Sequence, residues 1–511
     1  MKRFIQYIKH TFNHKVSFWK LKTLKSKLLE YGPTFLIILI IVELLEHFGL
    51  PILFYYLGNN VHDFFYVLIP APLVVCLHFL TTPIIFFIYV TIIKKKKSLK
   101  ISEFYRNTLK LLTSISVAQF IPIIITPLLT QYFTPEDFGI YGLYVSICSI
   151  FGVIASGKYD IAIMLPKRKV DSANILVLSF LITFLFSTLF LSILSIFNET
   201  FFELTKSSVL KKYYFIIPFS IFLISINQSI LVWFNRHKKY NWIANQNLLK
   251  SGSNSGSALL LGIKTIDFGL ILAQITALTL ISFFNIFNFI KEFKFSLINQ
   301  NTIQKNFLRY IDFLKFSSVS NLFNSFSSMG MTTLIIIFFG PKVAGLYFLA
   351  EKLIGVPISF ITSSVSQVYF QKASKLFYSD KNALIRLTNE IQKNIFYILF
   401  PFLIICSLFG EKLFLIFGQE WGEAGIILKY FVAFILLKNI YSPISHIGDI
   451  LNKQRVLLLF NVSLFLFQLG SFYFLKEYQD IKYALLTASF FGAIHYLVLN
   501  IYMKKELKKI S

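Results

Sequence analysis

The sequence predicts an all-α polytopic membrane protein: two six-helix bundles related by a pseudo-twofold axis along the membrane normal, plus two extra N-terminal transmembrane helices, about fourteen spans in all. Three observations carry this prediction. Apolar runs long enough to cross a bilayer recur from end to end of the 511 residues, in a chain that is 56% hydrophobic and only 14% charged. The loops between those runs alternate between basic and nearly neutral. One short loop pattern occurs twice, six spans apart.

A hydrocarbon core of roughly 30 Å is crossed by about 20 helical residues at 1.5 Å each. Inside it every backbone amide must be satisfied within its own segment or a closed barrel. The runs are continuous rather than alternating in polarity, which excludes a barrel, and the mean hydropathy of +0.67 agrees with a membrane solvent. Candidate spans lie at 33–57 and 64–93, and twelve more begin near 108, 140, 172, 213, 242, 267, 315, 343, 393, 425, 455 and 482. The chain therefore divides into an N-terminal extension (1–105), a first bundle (106–300) and a second bundle (301–511).

A net charge of +26 in a soluble chain would point to nucleic acid, but here the basic residues sit in alternate loops. They include the N-terminal segment, Lys94–Lys97, Lys167 to Lys169, Arg236 with Lys238 and Lys239, 290–312, 371–393, 449–456 and the tail Lys504–Lys509. Basic loops stay in the cytoplasm, so both termini are expected inside and the span number even. The placement is that of a bacterial inner-membrane protein whose charge meets anionic lipid, not nucleic acid. No removable signal peptide is expected from the basic N-terminus. Cys76, Cys148 and Cys406 stand far apart inside apolar runs, a packing pattern with no metal or disulfide spacing.

The repeated loop reads Phe133-Thr-Pro135-Glu-Asp-Phe-Gly139-Ile-Tyr141 and Phe339-Gly-Pro341-Lys-Val-Ala-Gly345-Leu-Tyr347, or F-x-P-x-x-x-G-x-Y. Six spans separate the copies, so both face the same side, as in transporters built from parallel repeats.

From about Lys110 to the C-terminus the sequence resembles the polysaccharide transporter, or oligosaccharide flippase, family of the multidrug/oligosaccharidyl-lipid/polysaccharide exporter (MOP) superfamily. Five stretches carry the resemblance: Pro127 to Gly139, Ser156-Gly-Lys-Tyr-Asp-Ile-Ala-Ile-Met-Leu-Pro166, Trp233 to Tyr240, Gly345 to Pro357 continuing to Gln371, and Phe417 to Gly425 with Ser442-Pro443 following. The resemblance implies a flippase that carries polyprenyl-pyrophosphate-linked oligosaccharide, such as an O-antigen, capsule or lipopolysaccharide repeat unit, outward by alternating access. Polysaccharide polymerase machinery is a further partner on this reading. The sequence departs from the pattern at Gln131, where the family usually has Arg, and in lacking a proline midway along the seventh core helix, near Gly330 and Met331. Residues 1–105 have no counterpart in the family.

Ionisable side chains within spans normally face protein or water. Lys158, Lys250, Lys315 and Lys352 are expected to form a cationic lining, since ammonium groups in a partly hydrated lumen can replace water around a pyrophosphate. Asn247, Asn254, Asn321, Asn324, Ser359 and Gln367 fall on polar stripes with helical spacing and would line the same lumen. Asp160 and Glu351 are candidate ion sites or charge partners. Some of these have a plainer alternative: Lys158 and Lys315 can snorkel to the interface or, for Lys158, pair with Asp160, and the Ser/Asn stripes can join helices; Lys250 and Lys352 are deeper and harder to dismiss in this way. Lys429 and Lys438 read as interfacial or interhelical. Glu43, Glu46 and His47 are weak evidence for a metal, and no metal or cofactor is expected.

Two other function classes compete. A membrane polymerase or ligase would need an outer loop with catalytic groups, and the longest, Asn198–Lys212, carries no such constellation. No nucleotide-binding motif occurs either. A cation-coupled exporter of small amphiphiles would fit the fold, but lysines in the lumen favour an anionic cargo.

Overall fold

The computed structural model describes residues 118–509 other than 120, 452 and 479. The extension 1–105, with its two expected spans, Cys76 and the Glu43–His47 string, lies outside the described residues.

The described chain is helical throughout. After a helical stretch over 121–129 come α1 (Pro135–Ile154), α2 (Lys169–Ile196), α3 (Ile216–Arg236), α4 (Tyr240–Ile263) and α5 (Gly269–Ile290). A short connecting helix, α6 (Gln300–Arg309), leads through a π-helical turn, Phe313–Ser317, to α7 (Ser318–Met329) and α8 (Met331–Phe339). The remainder is α9 (Pro341–Ser379), α10 (Lys381–Phe414), α11 (Gly422–Tyr441), α12 (Gln454–Leu475) and α13 (Ile481–Lys509). Among the described residues nine helices are long and apolar enough to cross a membrane, and a tenth is gained if the bent pair α7–α8 is one span.

That bend replaces an expected proline. The two segments meet at 56° across Gly330, where a Cβ would stand 2.4 Å from the Phe326 carbonyl oxygen. Glycine lets the turn tighten onto that carbonyl, so the kink needs no ring. The 24-residue α4 is long enough to cross but too polar to be counted by composition. The residues responsible include Asn247, Lys250 and Asn254, the stripe singled out in the sequence.

The two copies of the repeated loop start α1 and α9 in the same way. Pro135 and Pro341 occupy the first helical turn, where a missing N–H costs nothing. Thr134 and Asp137 close a reciprocal cap: the Asp137 N–H donates to Thr134 Oγ1 at 3.3 Å and the Thr134 N–H to Asp137 Oδ2 at 2.9 Å. The copies then pack on each other. A Cβ built on Gly139 would stand 1.9 Å from the Pro341 carbonyl oxygen, and one on Gly345 would stand 1.7 Å from that of Pro135. The contact is reciprocal, motif to motif, and it is backbone on backbone. Between helices in lipid the driving force is packing rather than water exclusion, so small residues are what permit so close an approach. Beside it, Phe138 of α1 meets Trp421, just ahead of α11, edge to face at 5.0 Å; the two side chains are 0% and 2% exposed.

The opposite, basic end is tied differently. The Arg236 guanidinium, at the last turn of α3, donates to the carbonyls of Ile163 and Met164, each at 3.0 Å, and of Pro166 at 2.5 Å. One fork thus satisfies three carbonyls of the loop between α1 and α2. The Tyr159 hydroxyl donates to the Phe307 carbonyl at 2.8 Å, with the rings stacked 6.1 Å apart. Asn174 donates to the Leu297 carbonyl and accepts from the Asn299 N–H, both at 2.8 Å. The connecting helix α6 is therefore fastened to α2 and to the loop before it. Cys148 and Cys406 are buried, as packing residues should be.

Hydrogen bonds from a charged donor contribute about 1.5–3 kcal/mol each, and a lysine cannot reproduce the planar fork. Arg236→Ala should lower the melting temperature of the purified protein by several degrees, and Arg236→Lys should recover less than half of the loss. A melting temperature unchanged in Arg236→Ala would show that the loop does not depend on the clamp.

Candidate functional site

The charged and polar residues picked out in the sequence fall at two depths. Lys158 and Asp160 lie beyond the end of α1, in a turn where Gly157 and Lys158 both have φ near 60°. The sequence placed Lys158 within a span; the helix ends at Ile154, and the left-handed turn carries the lysine past it. Its side chain is nevertheless buried, with the residue 7% exposed. Burial pushes the ammonium below the ordinary lysine value, and the nearby Asp160 charge acts against that shift. Asp160, also buried, accepts the Ser156 hydroxyl at 2.8 Å. Lys315 is exposed on the π-helical turn. The two turns touch: a Cβ on Gly157 would stand 2.9 Å from a Leu314 methyl carbon. Lys158 and Lys315 thus flank one junction at the basic end.

Lys250 and Lys352 lie deeper. Counted along their helices at 1.5 Å per residue, Lys250 is about 15 Å from the start of α4 and Lys352 about 16 Å from the start of α9. Lys250 is exposed and Lys352 half-buried. On α9 the row Lys352, Gly355, Ser359 and Ser363 shares one face; Ser359 and Ser363 are exposed, and nothing lies within 4 Å of where a Cβ on Gly355 would be. Ser359 spends its hydroxyl on its own helix, at the Val356 carbonyl 2.8 Å away. This face opens onto space rather than onto another helix. The side chain of Gln367 lies outside the described residues.

On α4, Asn247 and Asn254 are half-buried. The Asn254 amide meets the Tyr141 hydroxyl of α1, while its Oδ1 is buried without a hydrogen-bond partner. One turn away the Ser251 hydroxyl donates to the Ala118 carbonyl. On α7, Asn321 donates to the Ser317 carbonyl at 2.8 Å and Asn324 is exposed. Ser327 of the same helix donates to the Asn461 carbonyl of α12 at 2.9 Å, so one edge of that stripe does join helices.

Two features were not legible from sequence. Glu351 lies within electrostatic reach of Lys438 on α11, so the two opposite charges of α9 and α11 act on each other. The main polar fastening among α2, α3 and α5 lies on unremarked residues. Thr183 and Ser225 bond at 2.9 Å, Asn227 donates to Ser282 at 2.7 Å, and Asn285 donates to Asn227 at 2.7 Å. Single polar residues in apolar runs were their only signal. In the loop searched for catalytic groups, Lys211 binds Glu199 at 2.7 Å and holds its carboxyl below the usual range. No group of three or more metal-ligating side chains occurs among the described residues.

Residues 128–425 match the protein family described as polysaccharide biosynthesis protein. No curated protein matches the sequence. Among solved structures, the chain is similar to a multidrug resistance MATE family transporter of the MOP superfamily in an inward-facing conformation, with 16% identity and a TM-score of 0.61 over 77% of this chain and 95% of that one. It is likewise similar to the lipid II flippase MurJ in an inward closed conformation, with 15% identity and a TM-score of 0.64 over 79% of this chain and 90% of that one. An outward-facing MATE family transporter aligns at 15% identity and a TM-score of 0.55, covering 80% and 96% of the two chains. The fold is therefore the MATE/MurJ-like fold, and the chain is a multi-pass membrane protein.

A cysteine reacts with charged thiol reagents only where water reaches it. Ser359→Cys should react with a membrane-impermeant methanethiosulfonate at least about tenfold faster than Ser325→Cys, whose site is 6% exposed. Equal, slow rates would place the α9 stripe against lipid.

Proposed function

The chain belongs to the polysaccharide biosynthesis protein family, and from that membership we propose that it is a flippase for polyprenyl-pyrophosphate-linked oligosaccharide in the bacterial inner membrane. The observation that carries the cargo class is the row Lys352–Gly355–Ser359–Ser363 on one face of α9, half-buried at Lys352 and Gly355 and exposed at the two serines, with Lys250 exposed at similar depth on α4. Charge and hydroxyls at mid-membrane depth are costly unless they face water or a polar ligand. A pyrophosphate needs cations to replace its hydration, and a glycan needs hydroxyl and amide partners that tolerate varied stereochemistry.

On this reading two six-helix halves, joined by α6, enclose the passage. The reciprocal contact between Pro135–Gly139 and Pro341–Gly345 supports their relation by a pseudo-twofold axis. The basic end, with Lys158 and Lys315, faces the cytoplasm, in keeping with the positive-inside bias. Cargo enters there, its headgroup passes to Lys250 and Lys352, and it leaves at the proline end when the halves rock. Both inward-facing and outward-facing structures exist among the similar transporters, which supports alternation as the mechanism. A net negative headgroup moving outward is also favoured by the membrane potential.

One charge-assisted hydrogen bond of about 1.5–3 kcal/mol corresponds to roughly 10- to 100-fold in rate or affinity. Lys250→Gln and Lys352→Gln should each cut surface-polysaccharide assembly by at least about tenfold, with Lys→Arg restoring part of it. Normal assembly in Gln variants at Lys158, Lys250, Lys315 and Lys352 alike would remove the cationic-lining proposal, and resistance to amphiphilic drugs conferred by the same chain would favour the exporter.

A further inference from the structure

The glycine contact has a counterpart in the aromatic contact beside it, and both join elements before α6 to elements after it. Gly139 lies on Pro341, Gly345 lies on Pro135, and the Phe138 ring meets Trp421 edge to face at 5.0 Å. Pro135, Phe138, Gly139, Gly345 and Trp421 are buried and Pro341 half-buried. Just outside them, the loops 130–135 and 417–421 form the walls of a cleft of about 200 Å³, with Gln131 and Glu420 exposed on its two sides. At the basic end the fastening is of another kind. The Arg236 clamp lies wholly within elements before α6, and Tyr159, Asn174 and Asn306 tie α6 to that same group at 2.8 to 3.3 Å. The chain leaves this body through a π-helical turn, a local irregularity common at functional sites.

We propose that the paired glycines form the outer gate: Gly139 and Gly345 close the proline end backbone to backbone, Phe138 and Trp421 latch it, and the two halves separate there to release cargo while α6 moves with the first half. This rests on the alternating-access reading above and adds which residues seal the far side. A seal made mainly of backbone and one ring pair leaves few polar contacts to break before it opens; one is the long bond from the Lys206 ammonium to the Phe338 carbonyl, 3.5 Å, at the surface beside it. It is intolerant of any side chain at two positions. A single methyl group at either would fall well inside 3.0 Å of a carbonyl oxygen, and the carbonyl cannot swing aside as a flexible side chain can. Gly139→Ala and Gly345→Ala are therefore variants held open at this end rather than merely loosened ones.

The test uses spin labels at Gln131→Cys and Glu420→Cys in a chain whose own cysteines are replaced, reconstituted in lipid. Double electron–electron resonance should give predominantly the short-distance population with both glycines present, and predominantly a longer one in Gly139→Ala and in Gly345→Ala. An identical distance distribution in the glycine and alanine chains overturns the gate, whatever the cargo. An alanine variant that fails to reach the membrane is replaced by a second measurement with both glycines intact. Bridging the same two cysteines with a reversible thiol cross-linker in cells should stop new surface polysaccharide, and a reductant should restore it. Continued assembly with the bridge in place overturns the gate. A distance that lengthens as expected, in a chain whose lysine variants assemble polysaccharide normally, would retain the gate and remove the cargo assignment.

Discussion

Between apolar helices in lipid there is no water to expel, so what brings them together is contact itself. In this protein a backbone-on-backbone contact joins α1 to α9, and it exists because Gly139 and Gly345 have no side chains. The rest of the arrangement is read from that point. It fixes the register of the two central helices, sets the first turn of each against the other's proline, and leaves the polar row of α9 beyond it directed at open space. A larger residue at either glycine would force α1 and α9 apart at this end, since the atom it would meet is a carbonyl oxygen of the facing backbone.

The five stretches that carry the family resemblance are scattered in sequence but meet at two places. Pro127 to Gly139, Gly345 to Pro357 and Phe417 to Gly425 come together at the proline end through the glycine pair and the Phe138–Trp421 rings. Ser156 to Pro166 and Trp233 to Tyr240 come together at the basic end under Arg236. The motifs are therefore mostly joints. The proposed contacts to cargo lie between the joints, on faces whose chemistry is simple and whose residues form no signature.

That division explains what the sequence disclosed. Helicity, multiple spans and the repeated loop follow from hydropathy and from paired Pro and Gly, which act locally. The α4 stripe was visible because Asn247, Lys250 and Asn254 share a helical face. Contacts between distant residues were not visible. The electrostatic coupling of Glu351 to Lys438 depends on the rotation of α9 against α11, which a helical spacing within one segment does not disclose. The Asn227–Ser282–Asn285 network needs α3 and α5 to be side by side. At Gly330 the missing proline suggested a changed bend, whereas the helix bends by 56° through glycine instead. Lys158 was placed within the span, near its cytoplasmic end, whereas the helix stops at Ile154 and the left-handed Gly157 and Lys158 turn the chain beyond it.

The proposed function has this chain move a phosphate-bearing, lipid-linked glycan from the cytoplasmic leaflet to the outer one. The most direct measurement is to remove the chain from its host and quantify polyprenyl-linked glycans in each leaflet of the inner membrane. The account predicts that one such glycan accumulates on the cytoplasmic side and that a restored copy returns it to the outer side. An unchanged amount and sidedness of every lipid-linked glycan would contradict it.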